Sequence, residues 1–108
     1  MHKFDLNNKT AVITGGAQGF GLDIAKKFLN SGAKVNIWDI DIKQLKEAKS
    51  KIKNNNLSYQ VVDVTNFKNV QKIVKEITKK SKIDILINSA GITGPTTELW
   101  NYKIKDWN

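Results

Sequence analysis

Residues 14–21 have the sequence Thr-Gly-Gly-Ala-Gln-Gly-Phe-Gly, and they separate two stretches of different periodicity. Before them, residues 10–14 form a short run of apolar and β-branched residues that is typical of a buried strand. After them, apolar residues recur at helical spacing from Phe20 onward. The face that they form consists of Ile24, Ala25, Phe28 and Leu29. The glycine-rich stretch is therefore predicted to connect a strand to a helix.

The glycines of this connection meet three requirements of a phosphate-binding turn. Gly15 allows the chain to turn tightly, Gly19 leaves room for a pyrophosphate to approach the backbone, and Gly21 lets the helix pack close to the sheet. The first N–H groups of the helix and the positive end of its dipole would then face the anion. The alternative is a turn that is rich in glycine without binding anything.

The alternation of strand and helix patterns continues along the chain. Short apolar runs at residues 34–38, 58–62 and 83–87 predict three further strands. Between these runs lie two amphipathic stretches, the first capped by Asp41 and the second beginning near Asn66. Their predicted buried faces are Ile42, Leu45, Ala48 and Ile52 in the first, and Val70, Ile73, Val74 and Ile77 in the second. The order β-α-β-α-β-α-β predicts an α/β protein with a parallel sheet covered by helices on both faces.

Length and composition fit one globular domain that spans residues 1–108. Hydrophobic residues make up 40% of the chain and charged residues 26%. The formal net charge is +8, but all 18 basic residues are Lys. Arg would be expected in a protein that binds nucleic acid, since its planar fork grips phosphates and guanine edges. We therefore expect a solvated basic surface and no nucleic-acid partner, with a functional basic patch as the alternative.

Several kinds of site are excluded by residues that the sequence lacks. Cysteine is absent and the only histidine is His2, which leaves no thiol nucleophile, no Ser–His–Asp triad and no expected metal site. The sequence has neither the apolar stretch of a signal peptide nor the run of about 20 apolar residues that crosses a bilayer. We expect a cytoplasmic protein without a membrane partner.

Polar residues close the predicted second and third strands. Asp39 stands 24 residues after Gly15, where an acid accepts hydrogen bonds from the ribose hydroxyls of a dinucleotide. Asp63 and Val64 follow the third strand, where a carboxylate can accept from the amino group of adenine and an apolar side chain can cover the ring. The alternatives are an ordinary polar strand end or a helix cap at Asp39, and an acid at a helix start at Asp63.

The end of the predicted fourth strand carries the sequence Asn88-Ser89-Ala90-Gly91. This strand is expected to lie beside the first one. Small residues at Ala90 and Gly91 would let the ribose of a cofactor approach the backbone. The alternative is a simple turn.

Together these motifs resemble the short-chain dehydrogenase/reductase family. The glycine motif of that family, Thr-Gly-x-x-x-Gly-x-Gly, is matched by Thr14, Gly15, Gly19 and Gly21. Its Asn-Asn-Ala-Gly motif is matched except at Ser89, which replaces the second Asn. The resemblance implies a Rossmann-type, doubly wound parallel sheet. It also implies cofactor contacts at Gly15, Gln18, Gly19, Phe20, Gly21, Asp39, Asp63, Val64, Asn88, Ala90 and Gly91.

The resemblance also implies what lies outside the chain. The catalytic Asn, Ser and Tyr-x-x-x-Lys of the family follow the stretch present here, so no catalytic residue is assigned. Tyr59 and Tyr102 are followed four residues later by Asp63 and Asp106 rather than by Lys. We therefore expect the N-terminal, cofactor-binding part of a single-domain enzyme of roughly 250 residues, truncated after the fourth strand.

The implied activity is hydride transfer between a nicotinamide cofactor and a secondary alcohol or ketone. The members nearest in character are 3-oxoacyl-acyl-carrier-protein reductases and sugar or polyol dehydrogenases, and a homo-oligomer, dimer or tetramer, is expected. The carboxylate of Asp39 would repel the 2′-phosphate of NADP, while Ala17, Gln18 and Ile40 supply no cation. These residues favour NAD as the cofactor.

Two other functions are weighed. An S-adenosylmethionine-dependent methyltransferase would share the glycine-rich turn and the acids that end the second and third strands. Such enzymes often have Asn-Pro-Pro-aromatic after the fourth strand, whereas this chain has Asn88 to Gly91 without proline. A non-catalytic basic binding module is the third possibility, and the salt dependence of its DNA binding would reveal it.

Overall fold

The computed structural model describes residues 5–89, which form a four-stranded parallel sheet with helices on both faces. The strands lie in the order β3-β2-β1-β4, and every neighbouring pair is parallel. In chain order, the elements are β1 (Thr10–Thr14), α1 (Gly19–Asn30), β2 (Lys34–Asp39), α2 (Ile42–Lys51), β3 (Leu57–Val61), α3 (Phe67–Thr78) and β4 (Ile85–Asn88). The predicted α/β fold with a doubly wound, Rossmann-type sheet is confirmed.

Two hydrophobic clusters hold the layers together, one on each face of the sheet. On the first face, α1 and α2 pack against alternate residues of the strands, with Leu29 and Leu45 among the buried side chains. On the second face, α3 packs through Val70, Ile73 and Val74. Strand β1 is buried along its whole length, because a central parallel strand is covered on both faces.

The register of the strands brings their carboxyl ends to one edge of the sheet. Thr14 pairs with Trp38 of β2 on one side and with Asn88 of β4 on the other. Asp39, the last residue of β2, pairs with Val61 of β3. We call this the carboxyl edge, and the residues that follow each strand meet there.

Three local predictions need correction. β3 begins and ends one residue earlier than predicted. Ile42 was expected on the buried face of α2, but it is 39% exposed because it is the first residue of the helix and lies at the carboxyl edge. β4 runs from Ile85 to Asn88 rather than over residues 83–87, because Asp84 bonds to β1 partly through its side chain. The Asp84 amide donates to the Thr10 carbonyl at 2.9 Å, and the Asp84 carboxylate accepts from the Thr10 amide at 2.9 Å.

Candidate cofactor-binding site

An open cleft of about 400 Å³ lies at the carboxyl edge, above β1, β2 and β3. The chain leaves β1 toward β2 on one side, whereas β4 lies on the other, so the strand order reverses at β1. In open α/β sheets, ligands bind outside the carboxyl ends of the strands at such a switch point. The cleft is lined by Gly15, Gln18, Trp38, Asp39, Ile40, Val62, Asp63, Val64, Thr65 and Ser89.

The N-terminus of α1 opens onto the carboxyl edge without a side-chain cap. Gln18 stands at the capping position, but its side chain caps no N–H group. The other two described helices are capped, α2 by the carboxylate of Asp41 and α3 by the side-chain oxygen of Asn66. Uncapped N–H groups at a helix start, together with the helix dipole, favour an anion. The predicted phosphate-binding turn therefore has donors available at α1.

Two glycines shape this turn in different ways. Gly19 has φ of +61°, and a Cβ atom there would meet nothing within 4 Å in the described part of the chain. Its conformation, rather than crowding by the protein, requires glycine. A Cβ atom at Gly21 would instead collide with the carbonyl oxygen of Gly15 and the Oγ atom of Ser89. The close approach of α1 to the strand ends therefore depends on Gly21.

Hydrogen bonds join the ends of β1 and β4 beside the glycine turn. The buried Thr14 hydroxyl donates to the side-chain oxygen of Asn88 at 2.8 Å. The Ser89 amide donates to the Thr14 carbonyl at 3.2 Å, and the Ser89 hydroxyl donates to the same carbonyl. Asn88 thus lies at the carboxyl edge and holds β1, whereas Ser89 lines the cleft itself.

Asp39 lies in the cleft with a partly satisfied carboxylate. Its Oδ1 atom accepts from the Asp41 amide at 3.1 Å, and Oδ2 accepts no hydrogen bond from the described residues. Ile40, the next residue, lines the cleft and is 68% exposed. The carboxylate is therefore available to hydroxyl donors, with an apolar side chain beside it.

Asp63 lies on the other side of the cleft, after β3. Its carboxylate accepts from the hydroxyl of Thr65 at 2.6 Å and from the Thr65 amide at 2.9 Å. These two hydrogen bonds hold the pKa of Asp63 below its usual value of 3.8, and the bond from the hydroxyl has the larger effect. Val64 is half-buried and packs against the cluster under α3. The structure thus brings Asp39, Asp63 and Val64 into one cleft, as the sequence predicted.

The remaining predicted residues are placed differently. Gly15 and Gln18 line the cleft, while Gly19 and Gly21 belong to the turn beside it. Phe20 lies at the start of α1 with 74% of its surface exposed, and it does not line the cleft. Ala90 and Gly91 lie outside the described residues, so their predicted contacts stay predictions.

A larger cleft of about 680 Å³ lies near the opposite end of the strands. Its lining includes Asn36, Ser58 and Gln60 on the sheet and Lys79 and Lys80 after α3. It contains none of the glycine-turn residues or the acids that close the strands. The smaller cleft at the carboxyl edge is therefore the candidate site.

Two further classes of site find no support in the described part of the chain. Residues 5–89 contain no group of three or more His, Cys, Asp or Glu side chains that could hold a metal ion. None of their helices has the length and the apolar character that crossing a membrane requires.

Comparison with known proteins decides the family. The model of the short chain dehydrogenase family matches residues 9–108. The chain belongs to the short-chain dehydrogenase family. The resemblance seen in the glycine turn and at Asn88 is thereby confirmed, and the comparisons give no support to the methyltransferase alternative.

Relatives in this family are matched over only part of their length. It is 40% identical over 90 residues to an NAD-dependent glycerol dehydrogenase of Listeria innocua, a match that covers 82% of this chain and 35% of the relative. It is 37% identical over 92 residues to a 3-oxoacyl-acyl-carrier-protein reductase of Chlamydia muridarum, covering 82% and 37% of the two chains. The matched part thus spans little more than a third of these short-chain dehydrogenases.

Solved structures support the same fold. A 3-ketoacyl-acyl-carrier-protein reductase from Brucella melitensis, complexed with NADH, superposes with a TM-score of 0.68 and 34% identity. That match covers 75% of this chain and 33% of the reductase. A relative that holds a nicotinamide dinucleotide therefore shares the sheet and helices described above.

Five cleft residues were not predicted as site residues from the sequence: Trp38, Ile40, Val62, Thr65 and Ser89. Ile40 could have been found, because it follows Asp39 directly and must lie at the same edge. Ser89 was noted only as a departure from the motif. The role of Thr65 depends on the direction in which the Asp63 side chain turns, and no sequence pattern shows that direction.

Proposed function

We propose that this chain binds NAD at the carboxyl edge and that it is the cofactor-binding part of a dehydrogenase acting on a secondary alcohol or ketone. The observation that carries the proposal is the charge of the cleft. Among residues 5–89, two carboxylates, Asp39 and Asp63, line it and no Lys does, although the chain carries a net charge of +8. This cleft would accept hydroxyl and amino donors and would disfavour an additional phosphate.

The described residues fit the parts of a dinucleotide in order along the sheet. The uncapped start of α1 and the glycine turn fit a pyrophosphate. The Asp39 carboxylate fits the ribose hydroxyls of the adenosine half, and Asp63 fits the amino group of adenine. Ile40 and Val64 provide apolar surface for the faces of the ring.

Charge favours NAD over NADP. The 2′-phosphate of NADP would come close to Asp39, a like charge, whereas the 2′-hydroxyl of NAD can donate to it. Lys43, the nearest cation in sequence, lies in the first turn of α2 and does not line the cleft. A hydrogen bond to a charged group contributes about 1.5–3 kcal/mol, which corresponds to roughly a tenfold to hundredfold difference in affinity.

The chemistry beyond binding is proposed from the family. When bound, the nicotinamide ring supplies or accepts the hydride. The chain's own residues bind and orient the cofactor, and we expect the acid–base group to come from sequence outside these 108 residues. The small-molecule substrate is proposed as an alcohol or ketone, since a glycerol dehydrogenase and a 3-oxoacyl reductase are both relatives. Homo-oligomerisation and a cytoplasmic location stay predictions.

Titration of the chain with NAD and with NADP tests the proposal. We expect NAD to bind at least about tenfold more tightly, because of the Asp39 hydrogen bond. Asp39→Asn should weaken the binding of NAD, and NADP should bind as tightly as before or more tightly. Glu47→Gln is the matched control, since it removes the same charge from an exposed side chain on α2, where Glu47 lies 3.8 Å from Lys51.

Three outcomes would contradict the proposal. Equal affinity for NAD and NADP in the unmodified chain would mean that Asp39 does not face the ribose. Equal effects of Asp39→Asn and Glu47→Gln would mean that only the overall charge matters. Binding of neither dinucleotide would refute the site.

A further inference from the structure

The turn from β3 into α3 is arranged around one oxygen of Asp63. The hydroxyl and the amide of Thr65 both donate to Oδ1, at 2.6 Å and 2.9 Å. The backbone on either side is also fixed, since the Asp63 amide donates to the side-chain oxygen of Asn69 at 3.2 Å and the Asn66 amide donates to the Asp63 carbonyl at 2.9 Å. Both the position and the rotamer of Asp63 are therefore held before any ligand binds.

The second oxygen of the same carboxylate is left for another donor. Within residues 5–89, Oδ2 of Asp63 accepts no hydrogen bond, and Asp63 and Thr65 both line the cleft. A side chain that is already fixed loses little rotamer freedom when it binds a ligand, so the hydrogen bond it then makes costs less entropy. The arrangement thus pre-orients one acceptor toward the cleft.

We propose that Thr65 is a positioning residue, which orients Asp63 so that Oδ2 accepts from the exocyclic amino group of adenine and thereby selects adenine over a 6-oxopurine. This inference rests on the proposed function, since it requires a dinucleotide in the cleft. An ionised carboxylate can only accept hydrogen bonds. It therefore favours the 6-amino group, a donor, and disfavours the 6-oxo group, an acceptor.

The charge state of Asp63 supports the selection. The same two hydrogen bonds from Thr65 lower the pKa of Asp63, the hydroxyl contributing more than the amide. The carboxylate therefore stays ionised at neutral pH and keeps no proton that it could donate to an oxo group.

The test compares NAD with nicotinamide hypoxanthine dinucleotide, in which a 6-oxo group replaces the amino group. Calorimetric titration of the 108-residue chain gives the ratio of the two dissociation constants. We expect NAD to bind roughly tenfold more tightly, as for a hydrogen bond to a charged group. Asp63→Asn should abolish the preference. Thr65→Val should reduce it to about threefold or less by releasing the carboxylate.

Two variants show whether Thr65 orients Asp63 or only stabilises the turn. Thr65→Ser keeps the hydroxyl and should keep the preference. Thr78→Val makes the same substitution at the far end of α3, where the hydroxyl donates to the Val74 carbonyl at 2.8 Å, and it should leave the ratio unchanged. If Thr65→Val does not fold, Thr65→Ala measured at the same temperature replaces it.

Failure of the inference about Thr65 can be told apart from failure of the proposed NAD binding. If Thr65→Val weakens both dinucleotides by the same factor, or only lowers stability, Thr65 is a structural turn residue and the inference is wrong while NAD binding stands. If the unmodified chain binds neither dinucleotide, the proposed function fails and the inference fails with it.

Discussion

The hydroxyl of Thr14 donates a hydrogen bond to the side-chain oxygen of Asn88 across the ends of β1 and β4, at 2.8 Å. Thr14 is fully buried, and its carbonyl accepts from Ser89. The first residue of the glycine motif and the first of the Asn-Ser-Ala-Gly motif are therefore one structural unit, which joins the two strands on either side of the switch point.

Thr14→Val should destabilise the fold. It removes the donor to Asn88 and leaves a polar group poorly satisfied near the core, which costs about 1–3 kcal/mol. The change is measured as the free energy of unfolding in urea. Thr14→Ser keeps the hydroxyl and serves as the control. Equal stability of Thr14→Val and the unmodified chain would show that this hydrogen bond does not hold the strand ends.

Gly21→Ala should disturb both the fold and the binding of NAD. The added methyl group would meet the Gly15 carbonyl oxygen and the Ser89 hydroxyl, and such crowding costs typically about 1–3 kcal/mol. The measurements are the unfolding midpoint and the dissociation constant of NAD. Ser89→Ala in the Gly21→Ala background should recover only part of the loss, because the backbone carbonyl remains. Full recovery would place the conflict at Ser89 alone.

Asp63 should titrate below pH 3.8 in the folded chain, because hydrogen bonds from Thr65 favour its charged form. A lowered folded-state pKa contributes stability above the pKa of the unfolded chain, and this contribution is lost as the pH falls through the folded pKa. The difference in free energy of unfolding between the unmodified chain and Thr65→Val should therefore be largest at neutral pH and should decrease below pH 4.

Carboxyl chemical shifts give the pKa of Asp63 directly, and urea unfolding at several pH values gives the difference in free energy of unfolding. Thr65→Val should raise the pKa toward 3.8. If this difference stays constant from neutral pH to pH 2, Thr65 stabilises the fold independently of the charge of Asp63.

The 108-residue chain should bind NAD without oxidising an alcohol. Its tyrosines, Tyr59 and Tyr102, have no Lys four residues later, and acid–base catalysis is typically worth about 10²–10⁴-fold in rate. NADH absorbance with glycerol and NAD as substrates measures turnover. Steady NADH production by the purified chain would contradict the proposal that the acid–base group comes from other sequence.

The sequence predicted the fold well where periodicity was clear and less well at the ends of elements. β1 has the predicted bounds, because its buried run of apolar and β-branched residues ends directly before Gly15 and Gly16. The β4 prediction was wrong by two residues at its start. Asp84 interrupts the apolar run, and its carboxylate, rather than a regular strand ladder, bonds to the Thr10 amide.

The site could be predicted in outline but not in its contacts. Asp39 and Asp63 were expected to meet because both close parallel strands, and the carboxyl ends of such strands lie at one edge. That Thr65 holds Asp63, and that Ser89 contacts Thr14, depends on side-chain rotamers. These directions follow from packing between segments distant in sequence, which no local pattern encodes.

The central claim is that the cleft at the carboxyl edge binds NAD, and amide chemical shifts measured during titration with NAD test it most directly. We expect the largest changes at residues 15–22, at Asp39 and Ile40, and at residues 63–65. Asn55 and Lys80, which line the larger cleft at the opposite end, should be unaffected. Changes confined to the larger cleft, or no saturable change at millimolar NAD, would contradict the account.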